Sequence, residues 1–464
     1  MMYCDDKPHE ECGVFGVYSL KREEVARDIY YGLTALQHRG QESCGIAVSD
    51  TAGAMGNISV KKDMGLVSEV FHKGDLDALH GNIGVGHVRY STTGGSTKEN
   101  AQPIAMNYIK GCLALVHNGN IVNAAQLKEA QMYRGQAHYT TSDTEVLAYE
   151  IISERVKCGT IEEAVKNAAD RLKGGYAVIV MSPRKLIAMR DPLGIKPLVM
   201  GEREGAYIFA SESAAIKSVG GKVVRDIRPG EIVTVTEDGV KSDDSLCGKT
   251  PAHCVFEYIY FARNDSVIDG IEVRQSRFMA GQALARADMS DKDMVEADIV
   301  AGVPDSGLAA AEGYANASGI PFAIAFHKNS YVGRSFIKPT QEERSRAVHM
   351  KLSVLGSVVK GKNIVLIDDS IVRGTTMRQI IEMLREAGAG KVHVRISSPP
   401  FLYPCFYGTD VPSSGQLIAS EHSASEICKN IRADSLRYLR IEDLGEMTGG
   451  LGLCRACFDN NYPV

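Results

Sequence analysis

The chain has 464 residues, 44% of them apolar and 23% charged, with a formal net charge of -5; that is length enough for two domains, each with its own core. The mild acidity gives no general attraction to nucleic acid, and no run approaches the roughly 18–20 apolar residues of a membrane helix. The opening Met1-Met2-Tyr3-Cys4-Asp5-Asp6-Lys7 has no apolar signal core, so a soluble, cytoplasmic protein is expected. Eleven cysteines, an odd number, suit metal or catalytic use better than a disulfide framework.

In chain order, a polar segment through Glu11 turns abruptly into Cys12-Gly13-Val14-Phe15-Gly16-Val17. Alone, this is an edge strand that starts at a structural cysteine. Its context argues for more. Gln37-His38-Arg39-Gly40-Gln41-Glu42 follows the first helical segment, and then come His87-Val88-Arg89-Tyr90, His117-Asn118-Gly119-Asn120 and Ser142-Asp143-Thr144-Glu145. Strands are predicted over 45–48, 83–85, 113–116 and 175–181. The polar clusters are then left on loops at sheet edges, where converging groups make an active site. Stretches 189–198 and 208–213 read as turns and a strand closing a β-rich domain, with no chemistry assigned.

Residues 237–251 are polar and rich in lysine, aspartate and serine, and form the expected domain boundary. Cys254 follows at once, Cys405 lies in Tyr403-Pro404-Cys405-Phe406-Tyr407-Gly408, and Cys454-Arg455-Ala456-Cys457 lies near the end. Four thiolates can hold zinc or iron and sulfur, and spacing does not choose between them. Cys247 is a rival ligand, whereas Cys44, Cys112, Cys158 and Cys428 read as ordinary buried thiols.

From about 298 to 397, alternating strand and helix patterns predict a parallel sheet with covering helices. A strand at 299–301 enters Gly302-Val303-Pro304-Asp305-Ser306-Gly307. A strand at 322–326 precedes His327-Lys328-Asn329-Ser330-Tyr331-Val332-Gly333-Arg334, which on its face is a solvated basic loop. The apolar run 364–367 fits a buried parallel strand. It ends in Asp368 and Asp369, and Ser370, Arg373, Gly374, Thr375 and Thr376 follow before a helical pattern over 377–386. A helix N-terminus with small hydroxylated residues suits a phosphate. The paired acids suit a sugar diol or magnesium on a diphosphate.

The wording V-L-I-D-D-S-I-V-R-G-T-T resembles the phosphoribosyl-diphosphate (PRPP) signature of type I phosphoribosyltransferases. The N-terminal clusters resemble the N-terminal-nucleophile glutamine amidotransferases. Together, over nearly the whole chain, they resemble the amidophosphoribosyltransferases of the iron-sulfur, propeptide-bearing type. The resemblance implies an α+β N-terminal-nucleophile hydrolase domain, an αββα sandwich, followed by an α/β type I phosphoribosyltransferase domain. Residues 1–11 would be a propeptide, 12–246 the amidotransferase domain, and 247–464 the phosphoribosyltransferase domain with a C-terminal cluster-binding segment.

Cys12 would be the nucleophile freed by cleavage, with Asn118 and Gly119 forming the oxyanion hole and Arg89 and Asp143 binding glutamine. His38, His87 and His117 would be structural or supporting. Asp305, Ser306, Lys328, Tyr331, Arg334, Asp368, Asp369, Ser370, Arg373, Gly374, Thr375 and Thr376 would bind PRPP, and Arg346 and Lys351 would be weaker diphosphate contacts. Ser306, Asp368 and Asp369 would meet Mg2+, and Cys254, Cys405, Cys454 and Cys457 would hold one [4Fe-4S] cluster. The family also implies an ammonia channel, a homotetramer and feedback inhibition by purine nucleotides, with neither nucleic acid nor membrane as a partner. A hexosamine-phosphate synthase would lack the 363–376 motif. A non-catalytic sensor of PRPP or purine nucleotide would leave Cys12, Arg89, Asn118, Gly119 and Asp143 without a shared purpose.

Overall fold

The computed structural model describes residues 12–51, 56–90, 95–290, 295–329, 350–409 and 414–464. Among them, the N-terminal half builds two antiparallel sheets, of seven and six strands. The apolar run after Cys12 becomes the strand Gly13–Ser19, buried along its length. It lies between Ile83–Arg89 and Ala206–Ala210. A strand with both faces covered reads as a nearly continuous apolar run, as this one does.

The faces are covered in layers. Val14, Val85, Val116, Ile179 and Phe209 belong to the core between the two sheets. The helix Ala26–Ala35 packs Ile29 and Leu33 on the outer face of the seven-stranded sheet. Helices Asp143–Lys157 and Ile161–Ala169 bring Leu147, Ile151 and Val165 onto the six-stranded one. The result is the expected helix-sheet-sheet-helix sandwich.

Three expectations change. The His87 and Asn118 clusters are not loop-borne: the ladders continue through them, so that the strands are Ile83–Arg89 and Gly111–Ile121. His87 is paired on both sides, with Val14 and Gly45, and Asn118 on one, with Ala177; that backbone pairing outweighs the polar side chains, which are buried. Within the expected linker, Gly239–Asp243 is an edge strand paired with Ile232–Thr236, so the connection starts only after it. The strand expected at 322–326 reduces to a single bridge from Phe322 to Val300. Only one neighbour is available at that edge, and the chain leaves it to form Phe326–Lys328, which pairs with Leu352–Val354.

The second half centres on a parallel sheet, Ile299–Gly302, Ile364–Asp368, Val392–Ile396 and Ser435–Tyr438 in spatial order. Its last strand lies beyond the 298–397 span expected. Helices cover both faces: Val273–Ser290 and Ser306–Ser318 supply Ala280, Leu284, Ala310 and Tyr314 to one core. Thr375–Glu386 and Ala424–Ile431 supply Met377, Ile381, Leu384 and Ile427 to the other. The carboxyl ends of the parallel strands therefore open on one edge, where ligands of such sheets bind. No helix among the described residues is long and apolar enough to cross a membrane.

Candidate active sites

The register that sets Gly13 opposite Val88 brings Cys12 beside the end of the Arg89 strand. The Cys12 thiol is buried and donates to the Tyr90 carbonyl at 3.3 Å. Burial pushes its pKa up to about 11, against the Tyr90 hydrogen bond and the Arg89 charge; Glu42 and Asp143 are also close enough to act on it. The sequence-predicted residues Cys12, Arg89 and Asp143 therefore lie in one electrostatic neighbourhood.

Each is held from behind. Arg89, 3% exposed, donates through Nη1 to Glu42 Oε1 at 3.0 Å and to the Gly95 carbonyl at 3.2 Å. Asp143 opens its helix just after the N-cap Ser142, whose hydroxyl accepts from the Thr144 amide. Asp143 Oδ2 accepts from the Ile121 amide at 3.0 Å, and His117 Nδ1 lies 3.6 Å from Oδ1. Burial raises the Asp143 carboxyl, but His117 and the amides of Ile121 and Thr144 outweigh it and hold the group below the usual carboxylate range. His87, which burial pushes down to about 3, stays neutral and donates from Nε2 to the His117 carbonyl at 3.0 Å. That is a framework role.

Asn118 carries the strongest sign of a ligand. The residue is 1% exposed, and among the described residues neither side-chain amide atom has a hydrogen-bond partner. Leaving a buried amide unpaired costs about 1–3 kcal/mol, a cost removed when a substrate oxygen accepts from it. Next to it, Gly119 has φ +137, and a Cβ there would meet the Gly175 carbonyl oxygen at 2.1 Å. Only glycine turns that amide in this direction.

Sequence reasoning missed what lies behind Cys12. Arg39 Nε donates to the Cys12 carbonyl at 3.1 Å, and its Nη atoms reach Glu212 at 2.7 Å and Glu257 at 2.5 and 2.9 Å. Glu212 also takes His38 Nε2 at 2.7 Å, the Ser266 hydroxyl at 2.7 Å and the Arg263 amide at 3.0 Å. Burial would raise the Glu212 carboxyl, but His38 and Arg39 hold it far below its ordinary range. A second buried pair, Arg190 with Asp269 at 2.7 and 2.8 Å, is joined by His253 at 3.0 Å. Both networks tie residues of 12–246 to residues beyond 247. Glu212 and Arg190 stand in stretches read from sequence as turns and a closing strand; their burial was the missing signal.

In the second half, Asp368, Asp369 and Ser370 are buried at the carboxyl end of Ile364–Asp368. The Ser306 hydroxyl donates to Asp369 Oδ2, and the Ser370 hydroxyl donates to Oδ1 at 2.6 Å. Asp368 Oδ1 accepts the Asp369 amide at 2.9 Å. Ser306 opens its helix, so the 302–307 loop meets the paired acids directly. Gly307 makes this possible, since a Cβ there would lie 2.5 Å from the Ile367 carbonyl oxygen. Gly374, with φ +83, is the N-cap of Thr375–Glu386 and turns Thr375 and Thr376 into the first helical turn.

Lys328 pairs with Asp305, and Arg373 Nη2 reaches Gln416 at 2.6 Å. The Lys351 carbonyl accepts the Asn329 amide at 2.8 Å, which fastens the backbone next to the Phe326–Lys328 strand. Arg277, buried on Val273–Ser290, is an addition: burial lowers it to about 10 while the Asp369 charge opposes that shift. Tyr331, Arg334 and Arg346 lie outside the described residues, as does the 1–11 segment.

Cys254, Cys405, Cys454 and Cys457 line one cavity with Lys196, Phe256, Phe401 and Tyr407. A short parallel pairing sets Cys254 beside Cys454, and the Leu402 and Tyr403 amides reach the Cys457 carbonyl at 3.0 and 3.1 Å. Cys247 is not among the lining residues. Among the described residues no three His, Cys, Asp or Glu side chains are gathered to hold a single ion.

Comparison with known proteins agrees with this division. Residues 87–218 match the glutamine amidotransferase domain family, and residues 273–397 match the phosphoribosyl transferase domain family. An amidophosphoribosyltransferase of Bacillus subtilis is 46% identical over 463 residues, covering 98% of this chain and 94% of that protein. One from Methanocaldococcus jannaschii is 44% identical and covers 98% of each. The solved structure of the B. subtilis glutamine PRPP amidotransferase, complexed with ADP and GMP, superposes with a TM-score of 0.88 at 45% identity over 97% of both chains. With such similarity along nearly its whole length, the chain belongs to the amidophosphoribosyltransferase family.

Proposed function

We propose that the chain divides glutamine-dependent amidophosphoribosyl transfer between its halves, with Cys12 releasing ammonia from glutamine and the Asp368-Asp369 edge exchanging it for diphosphate on PRPP. The product is 5-phosphoribosylamine. The observation that carries the first half is the buried, unpartnered Asn118 amide in the strand next to Gly119.

Attack by the Cys12 thiolate on the glutamine side-chain carbonyl gives a tetrahedral oxyanion. Asn118 and the Gly119 amide stabilise it, and collapse releases ammonia and leaves a thioester for water to hydrolyse. Arg89, braced by Glu42, takes the substrate α-carboxylate as a guanidinium fork does. Asp143, kept ionised by its neighbours, takes the α-ammonium. A thiol near pKa 11 needs a base, and the framework histidine His87 is too acidic in its protonated form to be a useful one. Cleavage after Glu11 would create an α-amine at Cys12, with a reference pKa near 8, as that base. Intact mass of glutamine-active protein should therefore begin at Cys12; an uncleaved active chain would remove this step. Asn118→Ala should lower kcat for glutamine by about 10²–10³-fold and leave ammonia-dependent diphosphate release in place, as a paired kinetic assay would show.

On the other side, the leaving diphosphate needs charge neutralisation more than a base. Hard oxygen donors on Asp368, Asp369 and Ser306 suit magnesium, which when bound offsets the charge of the leaving group. The two acids engage the ribose hydroxyls, Arg373 to Thr376 cradle the 5'-phosphate at a helix N-terminus, and Asp305 and Lys328 face the diphosphate. The resemblance gives the 327–336 segment, of which 330–336 lie outside the described residues, the role of a flap over PRPP. Ammonia reaches the ribosyl carbon by an internal route, since release into neutral water would protonate it.

Four thiols lining one cavity suit zinc or an iron-sulfur cluster, and the resemblance to the iron-sulfur type favours the cluster. We assign Cys254, Cys405, Cys454 and Cys457 to a [4Fe-4S] group with a structural role, pinning the C-terminal tail to the start of the second domain. The ten described cysteines are all free of disulfides, which fits a reducing cytoplasm. Cys457→Ser should lose the brown absorbance and about four irons per chain in anaerobic protein, as expected of a single [4Fe-4S] ligand set. Homotetramers and purine-nucleotide feedback are carried over from the family, and the ADP and GMP of the B. subtilis complex make those nucleotides the first to test.

A further inference from the structure

The cysteine-bearing loop packs directly on the strand that carries Asn118 and Gly119. Asn120 Nδ2 donates to the Phe406 carbonyl at 2.9 Å, across 286 residues of chain. Gly408, buried with φ +109, lies so close that a methyl on it would sit 3.0 Å from the Gly119 carbonyl carbon and 3.1 Å from its Cα. The same methyl would sit 3.2 Å from Lys196 Nζ. Lys196 is 1% exposed, shares the cavity of the four cysteines, and its charge acts on Cys454. Asp191 fixes the Lys196 amide at 3.1 Å and the Ile195 amide at 3.0 Å.

The loop is fastened on its far side too. Tyr407 Oη donates to the Val464 carbonyl at 3.0 Å, and Tyr462 Oη donates to the Pro404 carbonyl at 2.6 Å. The C-terminal tail and the cysteine cavity thus clamp a segment whose inner edge touches residues 119 and 120. Gly408 is buried and Gly119 half-buried; a close-packed contact of this kind transmits displacement, because neither glycine has a side chain to absorb it.

We propose that segment 405–409 positions the oxyanion hole: the Asn120 hydrogen bond and the Gly408 contact set where the Gly119 amide points, so that glutamine chemistry depends on this loop while ammonia-dependent transfer does not. This rests on the assignment of Asn118 and Gly119 to the oxyanion hole. Asn120 is then a positioning residue that acts through Gly119. Disturbance of the cysteine cavity would reach the glutamine site through a single layer of backbone.

The test uses cleaved, cluster-loaded protein, with iron content and visible absorbance matched between variants. Asn120→Asp keeps the shape but cannot donate to Phe406, and Asn120→Ala removes the contact. Both should lower kcat for glutamine hydrolysis at least about 10-fold, with KM changed less than about 2-fold, as expected when only transition-state stabilisation is lost. Hydrogen exchange in the peptide containing Gly119 should quicken, and ammonia-dependent diphosphate release should stay at the wild-type rate. Asn118→Ala is run beside them. If it loses glutamine turnover while both Asn120 variants keep wild-type kcat and exchange, the positioning claim is overturned and the oxyanion assignment stands. If Asn118→Ala keeps wild-type kcat, the oxyanion assignment fails and the positioning claim fails with it.

Discussion

Cys12→Ala should abolish glutamine-dependent diphosphate release, by on the order of 10⁴-fold or more, while ammonium salts still support it. In the proposed reaction the thiol is the sulfur nucleophile, and Arg89, Asp143 and Glu42 act on it together, whereas Cys44 is influenced by Asp63 and Glu69. The variant leaves the strand Gly13–Ser19 and the Arg39 bond to the Cys12 carbonyl intact, so folding should be little changed. A pH series adds a second reading. In uncleaved protein, with a thiol near pKa 11, the thiolate fraction at pH 8 is on the order of 10⁻³. Alkylation of Cys12 should climb through about pH 10 to 11, whereas cleaved protein should react fast near neutrality because its α-amine takes the proton.

Asp369→Asn should stop PRPP turnover with both nitrogen sources, by about 10²–10³-fold, the size expected when one preorganised electrostatic group is lost. Both Asp369 oxygens accept hydroxyl hydrogens, one from Ser306 and one from Ser370. An amide can accept on one side only, and its NH₂ would turn a donor toward the other hydroxyl. The change also removes the carboxylate that opposes the burial shift of Arg277. Retention of glutaminase activity, tested without PRPP, would separate loss of this site from general unfolding. Normal diphosphate release from ammonia and PRPP would take Asp369 out of the site.

Local pattern carried much of this fold. The run 364–367 is a fully buried strand from Ile364–Asp368, and the helix expected from 377 begins two residues earlier, because Gly374 in the left-handed region supplies its N-cap. The proposed glutamine-site residues were legible through the resemblance of their short clusters, although Asn118 and Gly119 lie inside the strand Gly111–Ile121 rather than on the expected loop. What holds them was not. Arg39 meets Glu257 across 218 residues, and Asn120 meets Phe406 across 286; no periodicity reports a pairing of that kind. Glu212 and Lys196 look like ordinary surface charges in sequence, and only burial marks them otherwise. The strand expected at 322–326 failed for a related reason: an edge with one neighbour depends on tertiary pairing more than on apolar content.

Glutamate and diphosphate measured together, from glutamine and magnesium-PRPP with anaerobically purified protein, test the two-site account most directly. The account predicts equal amounts of both products and glutamate release that falls when PRPP is left out. Undiminished glutamate release without PRPP, with no diphosphate from either glutamine or ammonia, would contradict it.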